Sequence, residues 1–372
     1  MLTRSAKFFI IMTIFLLIIG CKTLSPSPTA TSTINPTVTD TQVQLPTIEP
    51  TVLSPTEIIT ETPLSDFQTI TVQNVNSLTL MNSITLPSQV SIKWSLDQQS
   101  IILSSFQGFR IYSYPELNLL FEFNSQPDEM LVDVSPNGAT YVLTLNQSSL
   151  LVKNWQTNES HTIQTNINFM AGDISPDGTK IILTQQDEWA GPIFDLASGN
   201  HITTLTGFET AAPVYSIVFG EDGEQAIWHA RATIRLSNIA NNTIKDPIFH
   251  EDFLTSYTLS PNGVILATST LGTKDNSIVP LVFFYSAESG EMSGSLEIPS
   301  PASSLDFSPN NQLLVASTGN LVTFINTSVI SQVHQFEGDP ERVTDAKFSP
   351  HGDVLAVSGD NLSVSFYAVP AP

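Results

Sequence analysis

Seven times between Ile92 and Ser358, a short apolar stretch runs into a turn of the Ser-Pro-Asp-Gly type and out into a second apolar stretch. The copies are IKWSLDQQSIILS from Ile92, DVSPNGATYVL from Asp133, DISPDGTKIIL from Asp173, IVFGEDGEQAIW from Ile217, YTLSPNGVILATS from Tyr257, LDFSPNNQLLVAS from Leu305 and AKFSPHGDVLAVS from Ala346. Their first turn residues, Ser95, Ser135, Ser175, Gly220, Ser260, Ser308 and Ser349, stand 40, 40, 45, 40, 48 and 41 residues apart. A period near forty that carries strands and tight turns packs as one four-stranded blade per repeat, and seven such blades close into a β-propeller.

Each part of the copy has a physical role. Proline at the second turn position sets φ, Asn or Asp hydrogen-bonds back to the chain, and glycine takes the positive φ that a β-branched residue resists. Proline and glycine recur together as Pro136 and Gly138, Pro176 and Gly178, Pro261 and Gly263, and Pro350 and Gly352. The run after the turn, such as Ile181-Ile182-Leu183, reads as a strand buried on both faces between neighbouring blades. A third strand follows in every repeat, from Phe109-Arg110-Ile111-Tyr112 to Val364-Ser365-Phe366-Tyr367. The seventh copy stops at Tyr367-Ala368-Val369 without an outer strand, whereas a strand-like stretch from Leu78 to Leu86 precedes the first. Pairing these two would close the ring and remove an open sheet edge. The fold expected is therefore all-β: a seven-bladed β-propeller of four-stranded antiparallel blades over residues 66–372, with an N-terminal strand closing the last blade.

Two stretches carry a family resemblance. Phe194-Asp195-Leu196-Ala197-Ser198-Gly199-Asn200 and Tyr285-Ser286-Ala287-Glu288-Ser289-Gly290 place an aromatic residue before a Ser-Gly turn. The pattern resembles the end of a WD repeat with Phe or Tyr in place of Trp, and the resemblance spans roughly residues 78–368. It implies a protein-interaction scaffold. The family's Gly-His pair and its literal Trp-Asp pair are missing, so the polar Asp-His-Ser-Trp network of that family should be largely absent, with apolar packing in its place. The pattern is also similar to bacterial seven-bladed propellers of the quinoprotein and lactonase kinds.

The N-terminus has a different composition. Arg4 and Lys7 precede a twelve-residue apolar run, Phe8 to Ile19, which is shorter than the ~20 residues that span a bilayer. Residues 1–20 read as a secretory signal peptide. Leu17-Ile18-Ile19-Gly20-Cys21 resembles the bacterial lipobox, which implies acylation of Cys21, the sole cysteine of the chain. In residues 22–65, Thr, Pro and Ser make up 24 of 44 positions with no glycine; together with Cys21 this stretch is read as a disordered tether. Its reach lies between roughly 40 Å as a coil and roughly 140 Å fully extended. These features place the protein on the extracytoplasmic face of the cell membrane, or of an outer membrane where the cell has one, as a lipid-anchored monomer.

A net charge of −22 falls to −24 when the two basic residues of the signal leave (11 basic minus 35 acidic). Such an acidic chain, with no basic patch, repels phosphate backbones, so nucleic acid is excluded as a partner. The six histidines, His161, His201, His229, His250, His334 and His351, show no metal-ligand spacing. No nucleophile elbow, phosphate loop or dinucleotide fingerprint occurs, and no cofactor or metal is expected. Glu221-Asp222-Gly223 is read as a hairpin turn, not a calcium loop.

Binding residues concentrate on loops held by a rigid scaffold. The candidates are Asp187, Glu188 and Trp189, Phe208 and Glu209, His229 and Arg231, and His250, Glu251 and Asp252, all in connections of blades 3 to 5. An exposed aromatic beside carboxylates suits a cationic or peptide ligand; Trp189 packed under its own loop is the competing expectation. The functional expectation is a non-catalytic platform for a protein or peptide partner. Its rival is a lactonase-like or quinoprotein-like enzyme acting at the central channel, where the inner strands offer chiefly Asp133, Asp173, Asp306 and Lys347.

Overall fold

The computed structural model describes residues 67–371, apart from 106, 127–128, 147, 186–189, 207–213 and 339–341. Seven antiparallel sheets form the blades of a ring. Their inner strands are Ser91–Trp94, Met130–Val134, Phe169–Ile174, Ser216–Phe219, Ser256–Leu259, Ser304–Phe307 and Val343–Phe348, for blades 1 to 7 in order. Each inner strand hairpins into a second strand, as with Phe169–Ile174 and Lys180–Gln185 of blade 3.

The turn chemistry explains why the repeat is so legible. In blade 2, Ser135 Oγ donates to Asn137 Oδ1 (2.6 Å) and accepts from the amide of Thr140 (3.0 Å). Blades 3, 5 and 6 repeat the arrangement with Ser175 and Asp177, Ser260 and Asn262, and Ser308 and Asn310. In blade 7 His351 occupies the Asx position, and Asp353 takes over as the acceptor for Ser349 Oγ at 2.6 Å. The fourth turn residue has φ between +55° and +71° in all seven blades, including Gln98 and Asn311 where no glycine stands. Blade 4 departs because Gly220 has no hydroxyl; Asp222 Oδ1 itself accepts from the amides of Glu224 and Gln225 (3.0 and 3.1 Å). A Cβ at Gly220 would lie 2.9 Å from Leu259 Cδ2, so a serine there requires the buried Leu259 side chain of the neighbouring blade to shift.

Closure follows the expected route and extends beyond it. Thr79–Thr85 pairs antiparallel with the third strand of blade 7, Ser363–Pro370, from Thr79 opposite Ala368 to Thr85 opposite Ser363. Pairing also occurs upstream of the expected closing strand, within the expected propeller bounds, because Phe67 and Gln68 pair with Pro370 and Val369. Between these strands Ile70 and Val75 are fully buried in the seam of blades 6 and 7. Asn74 locks the intervening turn, accepting from the Thr71 amide (2.7 Å) and donating to Thr69 O (2.9 Å).

The core is seven separate apolar clusters, one in each seam between adjacent blades. The second strands feed two seams at once: Ile181 and Leu183 pack toward blade 2, whereas Ile182 packs toward blade 4. That alternation accounts for apolar runs without a polar face. Polar side-chain bonds also occur within the blades, such as Trp228 Nε1 donating to Ser237 Oγ (2.7 Å), while apolar clusters fill the seams.

Candidate functional site

Two residues before the turn, one register recurs on all seven inner strands: Lys93, Asp133, Asp173, Val218, Thr258, Asp306 and Lys347. Its charges sit on one arc. Lys93 Nζ is 2.7 Å from Asp133 Oδ1, and Lys347 Nζ is 3.2 Å from Asp306 Oδ1. The other carboxylate oxygens accept amides of the following blade: Asp133 from Ile174 (2.9 Å), Asp173 from Phe219 (2.7 Å) and Asp306 from Phe348 (2.8 Å). Asp345, slightly off that register, accepts from Ile92 N (2.9 Å) and from Ser304 Oγ (2.5 Å), tying blades 6, 7 and 1 together.

Burial and the charge of Asp133 push the Asp173 carboxyl up to about 7, against the pull of Lys93. Burial likewise raises Asp306, with Lys347 opposing it. Burial works to lower both lysines, but the carboxylates of Asp133 and Asp173 around Lys93, and of Asp306 and Asp345 around Lys347, hold them above the ordinary value. Asp133 and Asp306 thus each engage a lysine and a backbone amide, whereas Asp173 engages the Phe219 amide. Among the described residues, no group of three or more His, Cys, Asp and Glu converges as a metal-binding set.

The face that carries the second-to-third and fourth-to-first connections, called the upper face here, is built up over blades 4 and 5. Arg231 caps the hairpin of blade 4 with φ +53°, and its guanidinium carbon lies 4.8 Å from the Phe253 ring centroid. Glu251 accepts from Thr273 Oγ1 (2.7 Å), and Asp252 Oδ1 accepts from the amide of Phe253 (2.7 Å). The sequence candidates His229, Arg231, His250, Glu251 and Asp252 therefore share one neighbourhood, with both histidines turned into the packing. His229 lies between the rings of Tyr215 and Tyr257 (5.7 and 5.2 Å), and burial lowers its pKa. His250 packs on Phe283 and Tyr285, and burial pushes its pKa down to about 4. Cys21, Asp187, Glu188, Trp189, Phe208 and Glu209 lie outside the described residues.

Two features escaped the sequence candidates. The second and third strands of blade 5, Ile265–Lys274 and Ser277–Ser286, have ten residues each, against six in the matching strands of blades 1, 3, 4 and 6. They pair throughout and turn at Asp275-Asn276 with φ +50° and +60°, the type I′ geometry of a tight hairpin. The hairpin extends the upper face beside Phe253, with Ile278 near its tip 75% exposed. The 48-residue interval between Ser260 and Ser308, eight longer than the common 40, is the trace of this hairpin in the sequence. The second feature is an open groove of about 840 Å³ between blades 2 and 3.

Comparison with known proteins agrees with this architecture. The family model "WD domain, G-beta repeat" matches residues 330–367. The matched segment holds the outer strand of blade 6, Ser331–Glu337, and most of the three strands of blade 7, so the sequence repeat runs one strand out of phase with the blade. No curated protein matches the chain. Among solved structures, a chain of "Crystal Structure of Mitotic Checkpoint Complex" superposes with a TM-score of 0.62 at 14% identity, covering 91% of this chain and 100% of that one. At that identity the likeness is one of fold. The chain is a WD-repeat-like seven-bladed β-propeller whose closing blade carries the matched repeat.

Proposed function

We propose that this chain is a lipid-anchored, extracytoplasmic and non-catalytic platform that binds a protein or peptide on the upper face of blades 4 and 5. The observation that carries the reading is the blade 5 hairpin. It adds eight residues to the repeat and carries exposed Ile278 on the face where the connection after blade 4 leaves Phe253 and Phe249 41% and 69% exposed. Apolar and aromatic side chains rimmed by charged groups are the usual make-up of an interface centre. Glu251, Asp252 and Asp275 on this face favour a partner segment that places basic residues beside apolar ones. The anchor rests on the lipobox-like sequence at Cys21 and on the composition of residues 22–65.

A photoreactive phenylalanine analogue at Ile278, compared in intact cells with one at Leu96 on the opposite face, tests the platform. Adducts with one protein species at Ile278 and none at Leu96 are expected; equal labelling from both sites overturns the assignment of the face. Palmitate labelling tests the anchor independently, and incorporation that survives Cys21→Ala refutes it.

A further inference from the structure

We propose that His250 is an acid-sensitive latch: protonation of its ring frees segment 249–253 from blade 5, and the upper face then loses its partner. The connection from blade 4 to blade 5 is fixed at two apolar points, Ile248 and Leu254, both buried in the seam of these blades. Between them Phe249, Glu251 and Phe253 are exposed and Asp252 is half-buried. His250 is the ring that turns inward, against Phe283 at 5.5 Å and Tyr285 at 5.6 Å. Its amide donates to Ala232 O (2.8 Å), and the next backbone bond to blade 4 comes at Leu254, whose amide donates to Arg231 O (3.3 Å). Two hydroxyls of the second strand of blade 5 add side-chain bonds, Thr270 to Phe253 O and Thr273 to Glu251. The side chains offered to a partner are thus carried by a short span whose one inward ring is an imidazole.

The surroundings suit a neutral ring. From the third strand of blade 5 the titratable neighbour is Tyr285, whose hydroxyl burial pushes up to about 12, so it stays uncharged. The second strand presents the Thr268 hydroxyl, 3.4 Å from Nε2, and blade 4 presents the Ala232 carbonyl, which already accepts the His250 amide. On its own segment Glu251 accepts from Thr273 and Asp252 from the Phe253 amide. Among the described residues no carboxylate forms an ion pair with His250. Burial therefore pushes its pKa down to about 4, whereas a ring released to water returns to ~6.5. Above pH ~6.5 docked and released rings are both neutral; as pH falls from there toward ~4, the released ring alone gains a proton and docking weakens. The ratio of released to docked segment rises about tenfold between pH 7.5 and 5.5. The loss of the partner rests on the platform reading; the release itself does not.

Histidine NMR and amide hydrogen exchange on the full-length mature chain test the latch. The His250 ring should titrate below about 5.5, and exchange at the bonded amides of His250 and Leu254, corrected for the intrinsic rate, should show opening that rises about tenfold from pH 7.5 to 5.5. His250→Phe keeps a ring against Phe283 and Tyr285 and should abolish that rise. The photo-adduct at Ile278, collected over the same pH range, should fall in the wild type and hold in His250→Phe. A His250 ring that titrates at ~6.5 or above overturns the latch without recourse to any variant. So does opening that is independent of pH, or a rise that survives His250→Phe and vanishes in His229→Phe. Opening as expected with an adduct yield indifferent to pH overturns the loss of the partner. Opening as expected with no adduct at Ile278 even at pH 7.5 upholds the release and refutes the platform reading instead.

Discussion

Asp345 should be the most costly single carboxylate of the ring to remove. It is 8% exposed on the inner strand of blade 7, and its two oxygens reach across two seams, to Ile92 N at 2.9 Å and to Ser304 Oγ at 2.5 Å. Hydrogen bonds to a charged group contribute about 1.5–3 kcal/mol each, and a buried donor left unpaired costs a further ~1–3 kcal/mol. Partial relaxation of the emptied site offsets some of this, so Asp345→Ala should destabilise the propeller by about 3–5 kcal/mol, a large share of the ~5–15 kcal/mol typical of a folded domain. Asp345→Asn should cost only about 1–2 kcal/mol, because the amide can accept from Ile92 N and donate to Ser304 Oγ. Equilibrium urea denaturation reads both. With a slope near ~3 kcal/mol/M, Asp345→Ala lowers the midpoint by about 1–1.7 M. An alanine variant within ~1 kcal/mol of wild type, or one no worse than Asp97→Ala in an exposed turn, would refute the idea that inner-strand carboxylates hold the seams.

Two further perturbations probe the turn and the channel. Gly220→Ser restores the residue found in the other copies, yet it should destabilise by about 1–2 kcal/mol, since crowding against Leu259 Cδ2 outweighs the ~1 kcal/mol hydrogen bond regained; a higher urea midpoint would contradict this. Asp173 has its pKa raised to about 7 beside Asp133, Lys93 and Tyr257, so between pH ~4 and ~7 the unfolded chain sheds a proton that the native state keeps. Its contribution to stability must therefore fall as pH rises through that window and level off above it. Relative to Asp173→Asn, the wild type should lose on the order of 1–3 kcal/mol between pH 4.5 and 7.5, and parallel stability curves for the two proteins would remove the basis for this assignment.

The fold was legible because its repeat encodes local chemistry that needs no distant partner. A serine that caps its own hairpin, an Asx two residues on and a residue at positive φ are readable one turn at a time, so the number of blades, the strand phase and the closing strand all follow from counting turns. What escaped the reading depends on contacts between turns. Gly220 looks like a lost serine, but a side chain there would press on Leu259 of the next blade. Ile70 and Val75 fall inside the expected propeller but were given no strand or packing role, because only the seam of blades 6 and 7 shows what buries them.

The candidate site divides along the same line. Arg231, Glu251 and Asp252 lie on the upper face, as expected of connections to a rigid blade. His229 and His250 sit in the same connections or at their edges, yet they pack inward against Tyr215, Tyr257, Phe283 and Tyr285. Residue type and loop position alone could not separate the two groups, because a histidine can serve either as a surface ligand or as a packed ring, and only the neighbouring aromatics decide. The intervals between turns held the remaining information. A propeller tolerates extra length only where its connections leave the ring, so the eight surplus residues between Ser260 and Ser308 had to project from the scaffold. In a repeat protein, departures from the period therefore point more specifically to segments that project from the ring than does the composition of any one loop. The groove between blades 2 and 3 adds the complementary case, in which the period is kept and the outer strand of blade 2 simply lacks the aromatic side chains that fill other seams.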